Sequence, residues 1–221
     1  YRDALQYFSC PGQNLIFAAS DGDIAITQQG RFPVKWPLQG DFLMDGSNPL
    51  HDWQAFIPFE ANPTIKNPER EYVSSANQHA ADSIYPYNLA GRYEYFRNRR
   101  INSELARMNG ITPEDMKKFQ NDNYNLKAAQ FLPVMLQLLP KENLSESQKA
   151  LLAELESWNF FNDADLEAPT IWEEWWSATR VGIFNDELGD PLHPAEWPES
   201  YTTGRMLETQ PNHPLIDNIK T

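Results

Sequence analysis

A single cysteine, Cys10, leaves the chain without an internal disulfide or a thiolate metal cluster. A small cysteine beside a strand reads as a buried hydrophobe. Basic residues are scarce too: 18 Lys and Arg against 31 Asp and Glu give a formal net charge of −13. Such a chain repels phosphate backbones, which argues against nucleic-acid binding, and its acidity reads as a source of solubility. No apolar run reaches the length of a membrane-spanning helix, and Tyr1-Arg2-Asp3-Ala4 has neither the basic start nor the apolar centre of a signal peptide. The common catalytic signatures are missing: there is no G-x-S-x-G elbow, P-loop, dinucleotide fingerprint or H-E-x-x-H. His51, His79, His193 and His213 are scattered, with no pair at metal-ligand spacing.

What is present begins with a hairpin. Residues 14–19 (NLIFAA) and 23–28 (DIAITQ) are short apolar runs separated by Ser20-Asp21-Gly22, a strong turn signal. Residues 30–70 are rich in proline and glycine, and the WQAFIPFE stretch at 53–60 is expected to lie against the core. Glu71 to Ala76 reads as an extended run ending in a polar turn at Asn77-Gln78. From about Leu89 the pattern becomes helical, with Tyr93, Phe96, Ile101 and Leu105 at helical spacing and Asn109-Gly110 as the stop.

Thr112-Pro113-Glu114-Asp115 opens the next helix, which is expected to run to about Leu139 with Pro133 ending or kinking it. Ser145 to Gln148 and Thr170 to Glu173 read as capping boxes, the second opening an aromatic helix with Trp172, Trp175 and Trp176. After Asp190 a proline-rich tail is expected to wrap the surface. The composition thus divides into a β-rich part with long loops (1–88) and a mainly helical portion with a proline-rich tail (89–221). Trp36, Trp53 and the Trp172–Trp176 cluster also keep open a different class of function, a non-enzymatic aromatic-rich surface module binding glycans or other ligands.

NLIFAASDGDIAITQQGRFPVK, then HDWQAFIPFEANPTIKNPEREYVSSANQ, then YPY with RNRRI, then ITPEDMKKFQNDNY follow one another in an order and spacing that resembles the penicillin acylase (penicillin amidase) family. The resemblance covers roughly residues 10 to 135. It implies an α+β fold: part of the αββα sandwich of an N-terminal-nucleophile hydrolase, followed by a mainly helical portion. It implies cleavage of the amide bond of a hydrophobic acyl group by an N-terminal serine whose own amine is the base. A periplasmic or extracellular location is implied as well.

By position in the resemblance, Asn77 matches the oxyanion-binding asparagine, Arg100 the orienting arginine, and Gln13 with Asn14 the strand lining the acyl pocket. On their residues alone, Asn77 is a turn-former at a strand end and Arg100 a solvated helix arginine. Tyr1 is not a nucleophile, and Ser47, in Gly46-Ser47-Asn48, reads as a turn residue. The chain therefore reads as an internal segment of the catalytic (beta) chain, inactive alone. Its implied partners are the remaining segments of the precursor (the nucleophile-bearing part and the alpha chain) and a small-molecule amide, with no nucleic acid and no membrane. No cofactor is expected. Calcium enters only through the resemblance, and Leu89 stands where an aspartate ligand would be.

Overall fold

The computed structural model describes residues 1–89, 91, 93, 95–190 and 195–216. The chain divides into two compact units, Tyr1–Asn109 and Gly110–Thr221, a boundary beyond the composition change at Leu89. Helices and strands are mixed, the strands all belonging to the first unit among the described residues.

The first unit is built on a three-stranded antiparallel sheet, ordered β1 (Gln13–Ala18), β2 (Ile24–Gln29), β3 (Thr64–Lys66). The β1–β2 hairpin pairs Gln13 with Gln29 through to Ala18 with Ile24, and Gly22 at φ 96° makes the turn that a side chain would strain. β3 joins β2 with Ile26 opposite Ile65. Asn67, at φ 47°, clips the far end: its Oδ1 accepts from Ile24 N–H at 2.9 Å and its Nδ2 donates to Asp23 at 2.7 Å. Lys66 also pairs with Asp23, and the Lys66 and Asn67 hydrogen bonds hold the Asp23 carboxyl below its ordinary range.

Successive residues of β2 point to opposite faces. Ala25, Thr27 and Gln29 are buried beneath the N-terminal segment, where α1 (Arg2–Leu5) follows Tyr1. The Tyr1 ring stacks on Phe17 at 4.5 Å and its hydroxyl bonds with Thr27 Oγ1 at 2.8 Å.

Several expectations for this unit need correction. Cys10 is exposed rather than buried, because it precedes the sheet in a loop. The 53–60 stretch does not lie against the core: Trp53 is 57% exposed, and of its apolar side chains only Ile57 is buried. A short pairing with 32–34, through Ile57 N–H to the Phe32 carbonyl (2.8 Å) and Val34 N–H to the Ala55 carbonyl (2.9 Å), turns a single apolar side chain inward. Residues 71–76 form no strand, having no ladder partner among the described residues, and Glu71 (φ 58°) and Asn77 (φ 61°) bound the segment. The helix expected from Leu89 is α2 (Phe96–Leu105); Gly91, at φ 153°, stands outside helical backbone.

The second unit is helical. α3 (Pro113–Phe119) starts on the predicted cap, with a capping box between Thr112 and Asp115. It stops at Phe119 instead of running to Leu139. The polar run from Asn121 to Asn125 starts a new helix, α4 (Leu126–Leu138), where Asn125 Oδ1 accepts the Ala128 N–H at 2.9 Å. Pro133 neither ends α4 nor marks its boundary, the helix continuing to Leu138. α5 (Glu146–Ser157) carries the expected Ser145–Gln148 box. α6 (Ala168–Leu188) begins ahead of Thr170, because Pro169 suits a first helical turn, and Thr170 lies inside it without a capping role.

Phe131 of α4 stacks on Trp176 of α6 at 5.8 Å, and Trp176 on Trp172 at 5.3 Å. With Ile183, Phe184 and Leu207 they make a buried core, so Trp172 and Trp176 are packing residues and not a ligand platform. The proline-rich tail contains a further helix, α7 (Ser200–Thr209), that contributes to this core instead of wrapping the surface. A Cβ on Gly204 would stand 2.3 Å from the Phe131 ring, so glycine is what lets α7 approach α4. Pro191, His193 and Pro194 lie outside the described residues.

Candidate functional site

The site lies in the first unit, where residues 70–78 run beside α2. Asn77 occupies left-handed backbone at φ 61°, which asparagine tolerates better than most residues, and is exposed. Arg97 Nη2 donates to Asn77 Oδ1 at 2.7 Å. A guanidinium can only donate, so this bond fixes the amide orientation: the oxygen faces Arg97, and Nδ2 is turned away as a donor. No described residue accepts from Nδ2. A positive charge on the amide oxygen also polarises the group and strengthens the remaining N–H donors.

The turn is held by the next side chain. Gln78 Oε1 accepts the Ala76 N–H at 2.7 Å and Nε2 donates to the Ser74 carbonyl at 3.0 Å, so one carboxamide satisfies backbone groups that a strand ladder would otherwise take. His79 Nδ1 lies 2.7 Å from the Ala81 carbonyl and 3.4 Å from the Ala81 N–H, so its tautomer sets which of the two it bonds. The His79 ring packs edge-on against Tyr93 at 4.7 Å. Burial pushes the Tyr93 hydroxyl above its usual pKa, as it does that of Tyr85, whose hydroxyl donates to the Ala61 carbonyl.

Arg100 is placed differently. Its Nη1 meets Glu104 at 2.8 Å, and Glu104 also takes Arg107 at 2.9 Å. The guanidinium that reaches Asn77 is therefore Arg97, one helical turn before Arg100. Sequence reasoning missed it. The available signal was the spacing of the two arginines, which puts them on nearly one side of a helix and leaves the start of α2 to decide which meets the turn.

Gln13 and Asn14 point to opposite faces of β1, as neighbouring strand residues must. Asn14 Nδ2 donates to Ser75 Oγ at 2.9 Å, tying β1 to the segment that carries Asn77. It also lines an open cavity of about 650 Å³ together with Gln28, Asn62, Gln78 and Tyr85; Gln13 is exposed and outside that lining. Two buried acceptors of this lining, Gln28 Oε1 and Asn62 Oδ1, have no hydrogen-bond partner among the described residues. The lining mixes these amides with apolar side chains, among them Ile26, Ile65 and Ile84.

Ser47 donates from both N–H and hydroxyl to Asp45 Oδ1, at 2.9 and 2.7 Å, a closed turn in which those bonds hold the Asp45 carboxyl below its ordinary range. Among the described residues no group of three His, Cys, Asp or Glu side chains is arranged to hold an ion, and Leu89 is buried. No described helix is long and apolar enough to cross a membrane.

Comparison with known proteins puts a family on this arrangement. The penicillin amidase family model matches residues 1–221. Penicillin G acylase of Escherichia coli is 22% identical over 154 residues, covering 67% of this chain and 18% of that protein. The solved structure of thermostable penicillin G acylase from Alcaligenes faecalis, in its orthorhombic form, superposes with a TM-score of 0.58 at 18% identity, over 91% of this chain and 36% of that one. The chain thus spans well under half the length of the relatives it matches. With the family model matching from the first residue to the last, the chain belongs to the penicillin amidase family.

Proposed function

We propose that this chain is a segment of an amide hydrolase that cleaves the amide bond of a hydrophobic acyl group, and that its contribution is an oxyanion donor. The observation that carries the reading is the Arg97–Asn77 bond, which leaves Asn77 Nδ2 presented and unengaged among the described residues. When a nucleophile adds to an amide carbonyl, negative charge grows on the oxygen. A pre-aligned N–H stabilises that charge without reorganising. Arg97 supplies the alignment and a positive potential. Arg100, held by Glu104, adds a second guanidinium one turn along α2. Asn14 and the mixed polar and apolar cavity offer a subsite beside the turn, while the nucleophile comes from the remaining segments of the precursor.

The test is Asn77→Ala in the product of the full reading frame, assayed on a chromogenic phenylacetyl anilide. Loss of one oxyanion donor lowers turnover by about 10²–10³ and leaves KM little changed. Full activity in that variant would falsify the reading. Arg97→Ala is expected to cost more turnover than Arg100→Ala, because only the former leaves the Asn77 amide free to rotate. The isolated 221 residues are expected to hydrolyse neither phenylacetyl nor fatty-acyl anilides. Turnover by them would mean that the nucleophile lies within this chain.

A further inference from the structure

An oxyanion donor works only when its position is fixed to roughly 0.5 Å, yet the segment carrying Asn77 joins no strand ladder among the described residues. Beyond the Asn14, Gln78 and Arg97 bonds, the contacts of residues 70, 72 and 74 are gathered on one residue of α2, Asn102. Its Oδ1 accepts from the Ser74 hydroxyl at 3.1 Å and from Arg70 Nη1 at 3.4 Å. Its Nδ2 donates to the Asn98 carbonyl, one turn back along the helix, at 2.8 Å. Its backbone carbonyl accepts from the Tyr72 hydroxyl at 3.2 Å. Arg70 in turn donates from Nε to the Tyr72 carbonyl at 3.1 Å and lies over the Tyr72 ring at 4.8 Å.

Side chains 70, 72 and 74 alternate along the segment and converge on this one helical position, upstream of the point where Asn77 meets Arg97 on the same helix. The chemistry demanded there is narrow. The Asn102 carboxamide accepts from a hydroxyl and a guanidinium through its oxygen while donating to a helix carbonyl through its nitrogen. An aspartate would keep the acceptor and set a lone pair against the Asn98 carbonyl; a leucine would do neither.

We propose that Asn102 is a positioning residue for the reaction: it sets the register of residues 70–77 against α2, so that Arg97 meets Asn77 Oδ1 and Nδ2 stays aimed at the oxyanion. This rests on the proposed oxyanion role of Asn77. Misplacement by about 1 Å is enough to cost up to 10²-fold in rate.

The experiment is a double-mutant cycle in the full-length enzyme, assayed on phenylacetyl anilide with active sites titrated. Asn102→Leu lowers kcat by roughly ten-fold or more with KM near the parent value, since the loss falls on the transition state. Asn102→Asp, which keeps the bonds from Ser74 and Arg70, recovers part of that loss. In an Asn77→Ala background Asn102→Leu costs nothing further, because the donor it positions is gone. Ser74→Ala, a milder change that removes one bond to Asn102, follows the same pattern at smaller size and serves if Asn102→Leu does not fold. An equal fold-loss in both backgrounds, or a lowered Tm with unchanged kcat per active site, overturns the positioning role and leaves the oxyanion reading standing. Full activity in Asn77→Ala alone overturns the oxyanion reading and the positioning role with it.

Discussion

Asn77 combines two properties that a single substitution can separate: it accepts a charged hydrogen bond through its oxygen and offers an N–H through its nitrogen. Asn77→Asp keeps the first and strengthens it, converting the contact with Arg97 into an ion pair, while deleting the second. The expected outcome is a Tm at or above the parent value with turnover as low as in Asn77→Ala, a pairing that thermal melts and steady-state kinetics check together. An aspartate variant with near-normal kcat would mean that the amide N–H is not used. The polar turn at Asn77 was legible from residue type, while its proposed role comes from register with the flanking motifs. Arg97 was not legible for a physical reason. Which of Arg97, Arg99 and Arg100 faces the turn depends on where the helix begins, and the apolar spacing from Tyr93 placed that start too early; α2 begins at Phe96. For Gln13 and Asn14 the period of a strand already dictates opposite faces, so only one of them could reach a given pocket.

Capping decides the helices of the second unit. In the Thr112–Asp115 box the Asp115 carboxylate accepts from Thr112 N–H at 3.0 Å and from the Thr112 hydroxyl at 2.6 Å, and those hydrogen bonds hold its pKa below the ordinary value. A carboxyl depressed in the folded state contributes stability that is present above its unfolded pKa of about 3.9 and lost as pH falls through the folded value. The first turn of α3 is therefore expected to loosen only below about pH 4. Asp115→Asn should remove that acid dependence, which amide exchange at Asp115 and its neighbours would report; an unchanged acid profile in the variant would count against the box.

The caps at Thr112 and Ser145 were readable because the pattern is local. The start of α6 and the existence of α7 were not. A proline in the first turn outcompetes a threonine box that begins at the next residue, and α7 forms because a glycine lets it press against Phe131. Gly204→Ala puts a methyl into that ring and should cost about 1–3 kcal/mol, read from urea or thermal unfolding. A neutral result would show that Phe131 has room to turn.

At the scale of the whole chain the two units differ in how they bury apolar surface. Residues 110–221 enclose Phe131, Trp172, Trp176, Ile183 and Phe184 in a core of their own. Expressed alone, that unit should unfold cooperatively and show the near-ultraviolet dichroism of fixed tryptophans; a gradual melt without such a signal would contradict an independent core. In the first unit Trp36, Leu38, Phe42, Leu43, Leu50 and Trp53 are exposed along one loop-rich stretch. Composition alone could not reveal this, because it counts apolar residues without saying which of them a neighbour covers.

The placement of the seven tryptophans has an optical consequence. Trp36 and Trp53, the pair in the first unit, are about half exposed, at 47% and 57%, whereas Trp158, Trp172 and Trp176 of the second are buried. The red edge of the intrinsic emission is therefore weighted toward residues 1–109, with a share from the half-buried Trp175 and Trp197, and the blue edge belongs to residues 110–221. A quencher such as acrylamide, or a partner that covers the 36–53 stretch, would shift one colour and leave the other alone. The protein carries a separate lamp for each half.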